Sequence, residues 1–362
     1  MILKEDGSVW STAIRLRGDF PQPGSNRYFA QVLPSSAVAA AAGAGFSLVL
    51  KKDGSVWATG RNNHAQLGDG TKIRKAAFIF VTVISGARLV VAGGSHSMIL
   101  SKEGHVWAAG WNDCGQLGEP VISIRTRFAM ICEKVKDVAA GESYSIVVKE
   151  DGSVWATGQN QNGQLGDGSK VDRSSFVQVV LSGAVAVAAG GSHSMVLKQG
   201  GSVWTTGWNH YGQLGDGSAT DRVNYIEVVS SLAKSIAAGG SHSMVLKQDG
   251  SVWAAGNNLC GQLGDGTSTN SEIFVQVISD GAKVIAGGVL YSMVLKQDGA
   301  IWATGSNRHG QFGDGSKMLR TAYGRIALLG NGAGYATTIH MACFHLRAII
   351  LFDYHNALHR EV

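Results

Sequence analysis

Residues 176–216 read FVQVVLSGAVAVAAGGSHSMVLKQGGSVWTTGWNHYGQLGD, and the fold follows from them. Phe176–Leu181 and Ala184–Ala189 are apolar runs that favour extended backbone, and Ser194–Lys198 and Ser202–Thr206 follow them, with glycine-rich breaks between. The spacing predicts four short strands. The break between the last two is Gly200-Gly201 here and Asp-Gly at 53–54, 151–152, 249–250 and 298–299, a pair that suits the positive φ of a type I′ hairpin.

The same unit recurs outward in both directions. Its tryptophan stands at positions 10, 57, 107, 155, 204, 253 and 302, at intervals of 47, 50, 48, 49, 49 and 49 residues. Repeated four-stranded units of that length suit a radial array that closes on itself and hides its sheet edges. The expected fold is all-β: a seven-bladed propeller of four-stranded blades, with each repeated tryptophan buried between neighbouring sheets. Met1–Gly7 aligns with Met244–Gly250, so the chain begins halfway through a blade. The ring is therefore expected to close by pairing of residues 1–12 with a segment near 325–339. One propeller domain is assigned to 1–339, irregular at 11–31 and degenerate at 317–339, and 340–362 is a tail that matches no repeat.

Composition excludes several classes of function. The chain of 362 residues has 50 Gly, 44% hydrophobic and 16% charged residues, too apolar for disorder. Its net charge of +5 is scattered rather than clustered, which argues against a nucleic-acid partner. Four cysteines without close spacing, Cys114, Cys132, Cys260 and Cys343, argue against a disulfide framework or a zinc site. No stretch reads as a signal or membrane span, and an intracellular location, cytoplasmic or nuclear, is expected. No catalytic constellation, metal site or cofactor motif stands out, because a residue recurring in every copy is a poor candidate for a single active site. A non-catalytic, monomeric binding module is the expectation.

After most of the tryptophans comes Asn-x-x-Gly-Gln-Leu-Gly-Asp-Gly, complete or nearly so at 62–70, 160–168, 209–217, 258–266 and 307–315 and truncated at 112–118. Ahead of them stands Ala-Gly-Gly-Ser-His-Ser or a variant. Over roughly residues 43–316 these motifs resemble the regulator of chromosome condensation repeat family, whose members form seven-bladed propellers. The resemblance implies a protein-interaction scaffold. Its alternative implication is guanine nucleotide exchange on a Ran-type small GTPase, although the regular intervals leave no room for the wedge of the family's exchange factor.

Two sets of candidate binding residues follow. Five residues after the Asp-Gly pair stand Lys75, Arg173, Arg222 and Arg320, with Arg125 nearby in the irregular copy and Ser271 interrupting the series. This basic ring would steer an acidic partner, unless each cation pairs with a nearby aspartate such as Asp172 or Asp221. Carried over from the family, the GTPase-facing loops are those of His96, Glu142, His193 and His242. The presence of Phe46, Tyr144 and Tyr291 at the histidine position suggests instead that any flat ring packs there. Single-copy departures, namely Trp111, Cys114, Glu142 and Trp208, are where specificity is expected.

Overall fold

The computed structural model describes residues 1–12, 28–120 and 122–326. They form a seven-bladed propeller whose regular structure is β-strand throughout. Blades two to seven span 37–83, 87–132, 135–180, 184–229, 233–278 and 282–326, and each is a four-stranded antiparallel sheet in sequential order. Blade one contributes three strands among the described residues: Ile2–Leu3, Val9–Thr12 and Phe29–Leu33.

Blade five shows the plan, with strands Ala184–Ala189, His193–Lys198, Val203–Gly207 and Arg222–Val229. Phe176–Leu181, expected to open this unit, instead falls largely in Arg173–Val180, the outer strand of blade four. A repeat carries no mark of where its sheet begins, so sequence periodicity fixes the period and leaves the phase open. Antiparallel order sends the first-to-second and third-to-fourth connections to one face, the loop face. The second-to-third hairpins and the links between blades lie on the other, the turn face.

Those hairpins are not type I′. In Lys51–Gly54 the Gly54 N–H donates to the Lys51 carbonyl at 3.0 Å, and of the Asp-Gly pair only Gly54, at φ 80°, lies in the left-handed region. The aspartate caps the turn. Asp53 Oδ1 accepts from the Ser55 N–H and hydroxyl, and Ser55 Oγ accepts the Trp57 indole N–H at 3.0 Å. Where it is complete, the Asp-Gly-Ser-x-Trp spacing thus ties the hairpin to its tryptophan. Six of these half-buried rings also carry a lysine ammonium 3.8–5.9 Å from the ring centre; in blade three Ser101 takes the lysine's place.

Each junction between blades has its own apolar core, seven in all among the described residues. At the ring closure Ile2 and Phe29 of blade one pack with Met293, Ile301, Phe312 and Ile326 of blade seven. Side-chain packing therefore joins the two ends of the ring. Ile2–Leu3 pair with Val9–Thr12, which pair in turn with Phe29–Leu33, and Arg325 and Ile326 pair within blade seven, against Trp302 and Ile301. The remainder of the expected closing segment, 327–339, lies outside the described residues, as do the tail 340–362 and residues 13–27 of the irregular loop.

A second contact repeats around the ring. The aspartate of Gly-Asp-Gly forms an antiparallel bridge to the outer strand of the next blade at Asp69–Arg127, Asp167–Asn224, Asp216–Ile273, Asp265–Ala322 and Asp314–Tyr28. In four of these the following glycine N–H donates to that strand: Gly70 to Thr126, Gly168 to Val223, Gly217 to Glu272 and Gly266 to Thr321, at 2.8–2.9 Å. Each of these five loops clamps the edge of its neighbour, which covers backbone that would otherwise be open to pairing.

Candidate functional site on the loop face

The long loop is built around its asparagine. In blade five, buried Asn209 accepts the Leu214 N–H through Oδ1 and donates through Nδ2 to Asp216, to Ser218 and to the Thr220 carbonyl. Gln213 Oε1 accepts the Tyr211 N–H, and Leu214 is fully buried as the anchor. Asparagine suits this place because one side chain supplies both acceptor and donors.

The basic ring exists as a matter of register. Lys75, Arg125, Arg173, Arg222 and Arg320 all pair with the last glycine of the third strand: Gly60, Gly110, Gly158, Gly207 and Gly305. Every one of these cations is held by a carboxylate, six residues earlier. Lys75 meets Asp69 at 3.1 Å, Arg173 meets Asp167 at 2.6 Å, Arg222 meets Asp216 at 2.7 Å and Arg320 meets Asp314 at 2.5 Å, while Arg125 contacts Glu119. The partners are thus the buried aspartates of Gly-Asp-Gly, not Asp172 and Asp221, whose Oδ1 atoms instead cap the Asn160 and Asn209 N–H groups. Burial pushes the Asp216 carboxyl up, but Arg222, Ser218 and Asn209 outweigh it and hold the group below the usual carboxylate range. The ring's charge is largely neutralised within the fold.

His96, His193 and His242 are fully buried. Each ring lies on a glycine: a Cβ on Gly93, Gly190 or Gly239 would come within 2.4 Å of the imidazole. Ser243 Oγ donates to the Gln213 carbonyl at 2.6 Å, so His193 Nε2–H, 3.0 Å away, is the donor to Ser243. The same relay joins His96 to Ser145 and the Gln116 carbonyl, and His242 to Ser292 and the Gln262 carbonyl. Burial drives these imidazoles down from 6.5: His96 and His193 to about 3 and His242 to about 4, so they stay neutral. Tyr144, also buried, spans the junction between blades four and five with its hydroxyl, which donates to the His193 carbonyl at 2.5 Å. Glu142, by contrast, is exposed on the loop face.

The loop face also carries apolar side chains that sequence reading passed over. Ile73, Val171 and Met318 are 68%, 62% and 76% exposed, each close to a ring cation. Their signal was an apolar residue recurring two positions before the cation, in a loop otherwise polar. Trp111 stacks at 5.3 Å on His64 of the neighbouring blade, and Trp208 contacts His210 and Tyr211 at 5.4 and 5.3 Å. Among the described residues no three His, Cys, Asp or Glu side chains are grouped to hold a metal, and no helix is long and apolar enough to cross a membrane.

Models of the regulator of chromosome condensation (RCC1) repeat match residues 37–66, 87–116, 135–164, 184–213 and 233–262, and in a second form 53–100, 151–197 and 200–246. These cover more than half of the chain. The protein belongs to the RCC1 repeat family. Among solved structures, human WBSCR16 is 23% identical, covers 92% of this chain and 91% of its own, and has a TM-score of 0.78. Prp20p of Saccharomyces cerevisiae is 20% identical over 85% of this chain and 82% of its own, with a TM-score of 0.75. At such identities these likenesses show the shared RCC1 propeller fold. A search of curated protein sequences found no match.

Proposed function

We propose that this RCC1 propeller is a protein-interaction module that binds its partner on the loop face. The observation that carries this is the set of apolar and aromatic groups there, exposed Ile73, Val171 and Met318 and half-buried Trp111 and Trp208, on a rigid frame whose ring of cations is already paired. Aromatic and aliphatic anchors on rigid loops favour a protein surface, since they are dehydrated on contact at little entropic cost. Solved relatives agree in kind: Prp20p is described with binding properties to Gsp1p and histones, and it has been solved bound to Kap60. The basic ring and Glu142 lie on the same face and would set orientation more than strength.

The test is capture by the immobilised chain. Trp208→Ser with Met318→Ser on the loop face should abolish retention of specific partners, and Lys51→Glu with Lys247→Glu on the turn face should not. The reverse pattern would reject the assignment. Release of a fluorescent GDP analogue from a Ran-type GTPase separates this module from an exchange factor, and no acceleration is expected.

A further inference from the structure

The junction between blades three and four lacks the clamp among the described residues. Between blades three and four the Gly-Asp-Gly of the long loop is replaced by Gly118-Glu119-Pro120, and no bridge to the outer strand of blade four forms among the described residues. Proline has no N–H, so Pro120 cannot make the bond that Gly70, Gly168, Gly217 and Gly266 donate at the equivalent place. Its acceptor by register is the Ser174 carbonyl, one residue past Arg173, and Ser174 and Ser175 are exposed. The longer Glu119 side chain reaches Arg125 from a more open position, 31% exposed against 5–8% for the clamp aspartates at the ring's other ion pairs.

Beside this edge stand two carboxylates with no cation within ion-pair distance among the described residues: Asp113, exposed, and Asp172, half-buried. Both lie near enough to Cys114 to raise its thiol, although burial is the larger cause. The other charged groups nearby are engaged: Arg173 with Asp167, Lys170 with Asp221 and Arg125 with Glu119. The site therefore offers an unclamped strand edge with a net negative border.

We infer that the outer strand of blade four, Arg173–Val180, receives an extended basic segment of the partner protein, which takes the place that the chain's own Gly-Asp-Gly occupies at the other clamped junctions. Added strands gain main-chain hydrogen bonds from such an edge, and flanking charge selects among sequences. The occupant is an extended peptide because five other junctions seat a short extended segment at this register, and basic because the two nearby acids are unpaired. This inference rests on the loop-face reading and deepens it.

The probe is a dye-labelled, end-capped octapeptide of alternating Lys and Val, titrated by fluorescence anisotropy against the full chain at low salt. The wild type should bind it. Glu119→Asp with Pro120→Gly, which rebuilds the clamp, should weaken binding at least tenfold. So should N-methylation of alternate residues in the peptide. Asp172→Asn keeps the cap on the Asn160 N–H, as Asn270 does for Asn258; it should weaken binding several-fold and flatten its salt dependence. No binding by the wild type, or equal binding by the clamped variant and by the N-methylated peptide, would overturn the inference. Partner capture that still depends on Trp208 and Met318 in that event would leave the loop-face reading standing.

Discussion

The junction between blades five and six and the junction between blades three and four are built from the same repeat, yet one is sealed and the other is open. Both share an apolar core, and both carry a histidine-to-serine relay, His193 to Ser243 and His96 to Ser145. They differ at the rim, where Asp216 and Gly217 clamp the next blade and Glu119 and Pro120 do not. Stability in this fold is thus held by the inner layers, and the outer clamp can be given up without losing the blade. A site can be opened at one junction by two substitutions in a loop.

The inner layer should be the least tolerant. A Cβ on Gly239 would lie 2.1 Å from His242 Cε1 and 2.5 Å from the Gly288 carbonyl oxygen, so Gly239→Ala should cost about 3–5 kcal/mol, read as a lower midpoint in urea. A midpoint shift under about 1 kcal/mol would show that the inner layer yields as easily as the rim.

The rim should separate the two junctions. Asp216→Ala removes a buried acceptor of Arg222, Asn209 and Ser218, and should destabilise by about 2–3 kcal/mol. Glu119→Ala, at the open junction, should cost less than about 1 kcal/mol because that carboxylate is more hydrated than Asp216. Equal losses would erase the distinction. By the same argument Arg222→Glu should lower the melting temperature, since it sets a second anion against Asp216.

Acid should weaken both junctions alike. The folded pKa of His193, about 3, lies below its unfolded value near 6.5, so protons bind the unfolded chain first. Stability from this group is complete above about pH 6.5 and falls by up to about 1.4 kcal/mol per pH unit below it, down to the folded value. His193→Tyr, which copies Tyr144 at the junction between blades four and five, should remove that slope, and urea titrations from pH 7 to 5 would measure it. A slope unchanged by the substitution would place the acid sensitivity elsewhere.

The smallest effect concerns Trp107. Its indole N–H is buried without a hydrogen-bond partner among the described residues, because His105 stands where five other blades have the serine that accepts this bond. His105→Ser should restore the bond and stabilise the chain by about 1 kcal/mol. An unchanged melting temperature would show that the relay adds little to the packing of the ring.

How much of this was legible follows from what a repeat can and cannot encode. The blade count, the hairpin positions and the packing role of the tryptophans are local patterns repeated many times, and they were readable. The grouping of strands into sheets was not, since phase is set by which strand finds the ring's interior. The basic ring was visible in register, but its ion pairs were misassigned. Asp172 and Asp221 are adjacent in sequence, whereas the loop folds back to bring Asp167 and Asp216 beneath the arginines. The histidines read more readily as packing than as contacts, since Phe46, Tyr144 and Tyr291 share their position, and what the sequence left out was the glycine against which each ring lies. Pro120 was in plain view. Its meaning appeared only once the neighbouring clamps showed what an N–H does at that position.

The distribution of the nine tryptophans has an optical consequence. Six of them, at 10, 57, 107, 155, 204 and 253, each belong to a different junction core, while Trp111 and Trp208 lie on the loop face. The intrinsic fluorescence is therefore already partitioned into reporters of ring opening and reporters of surface contact. Replacing Trp111 and Trp208 by phenylalanine would leave a signal that follows the separation of blades, and the difference from wild type would follow the arrival of a partner.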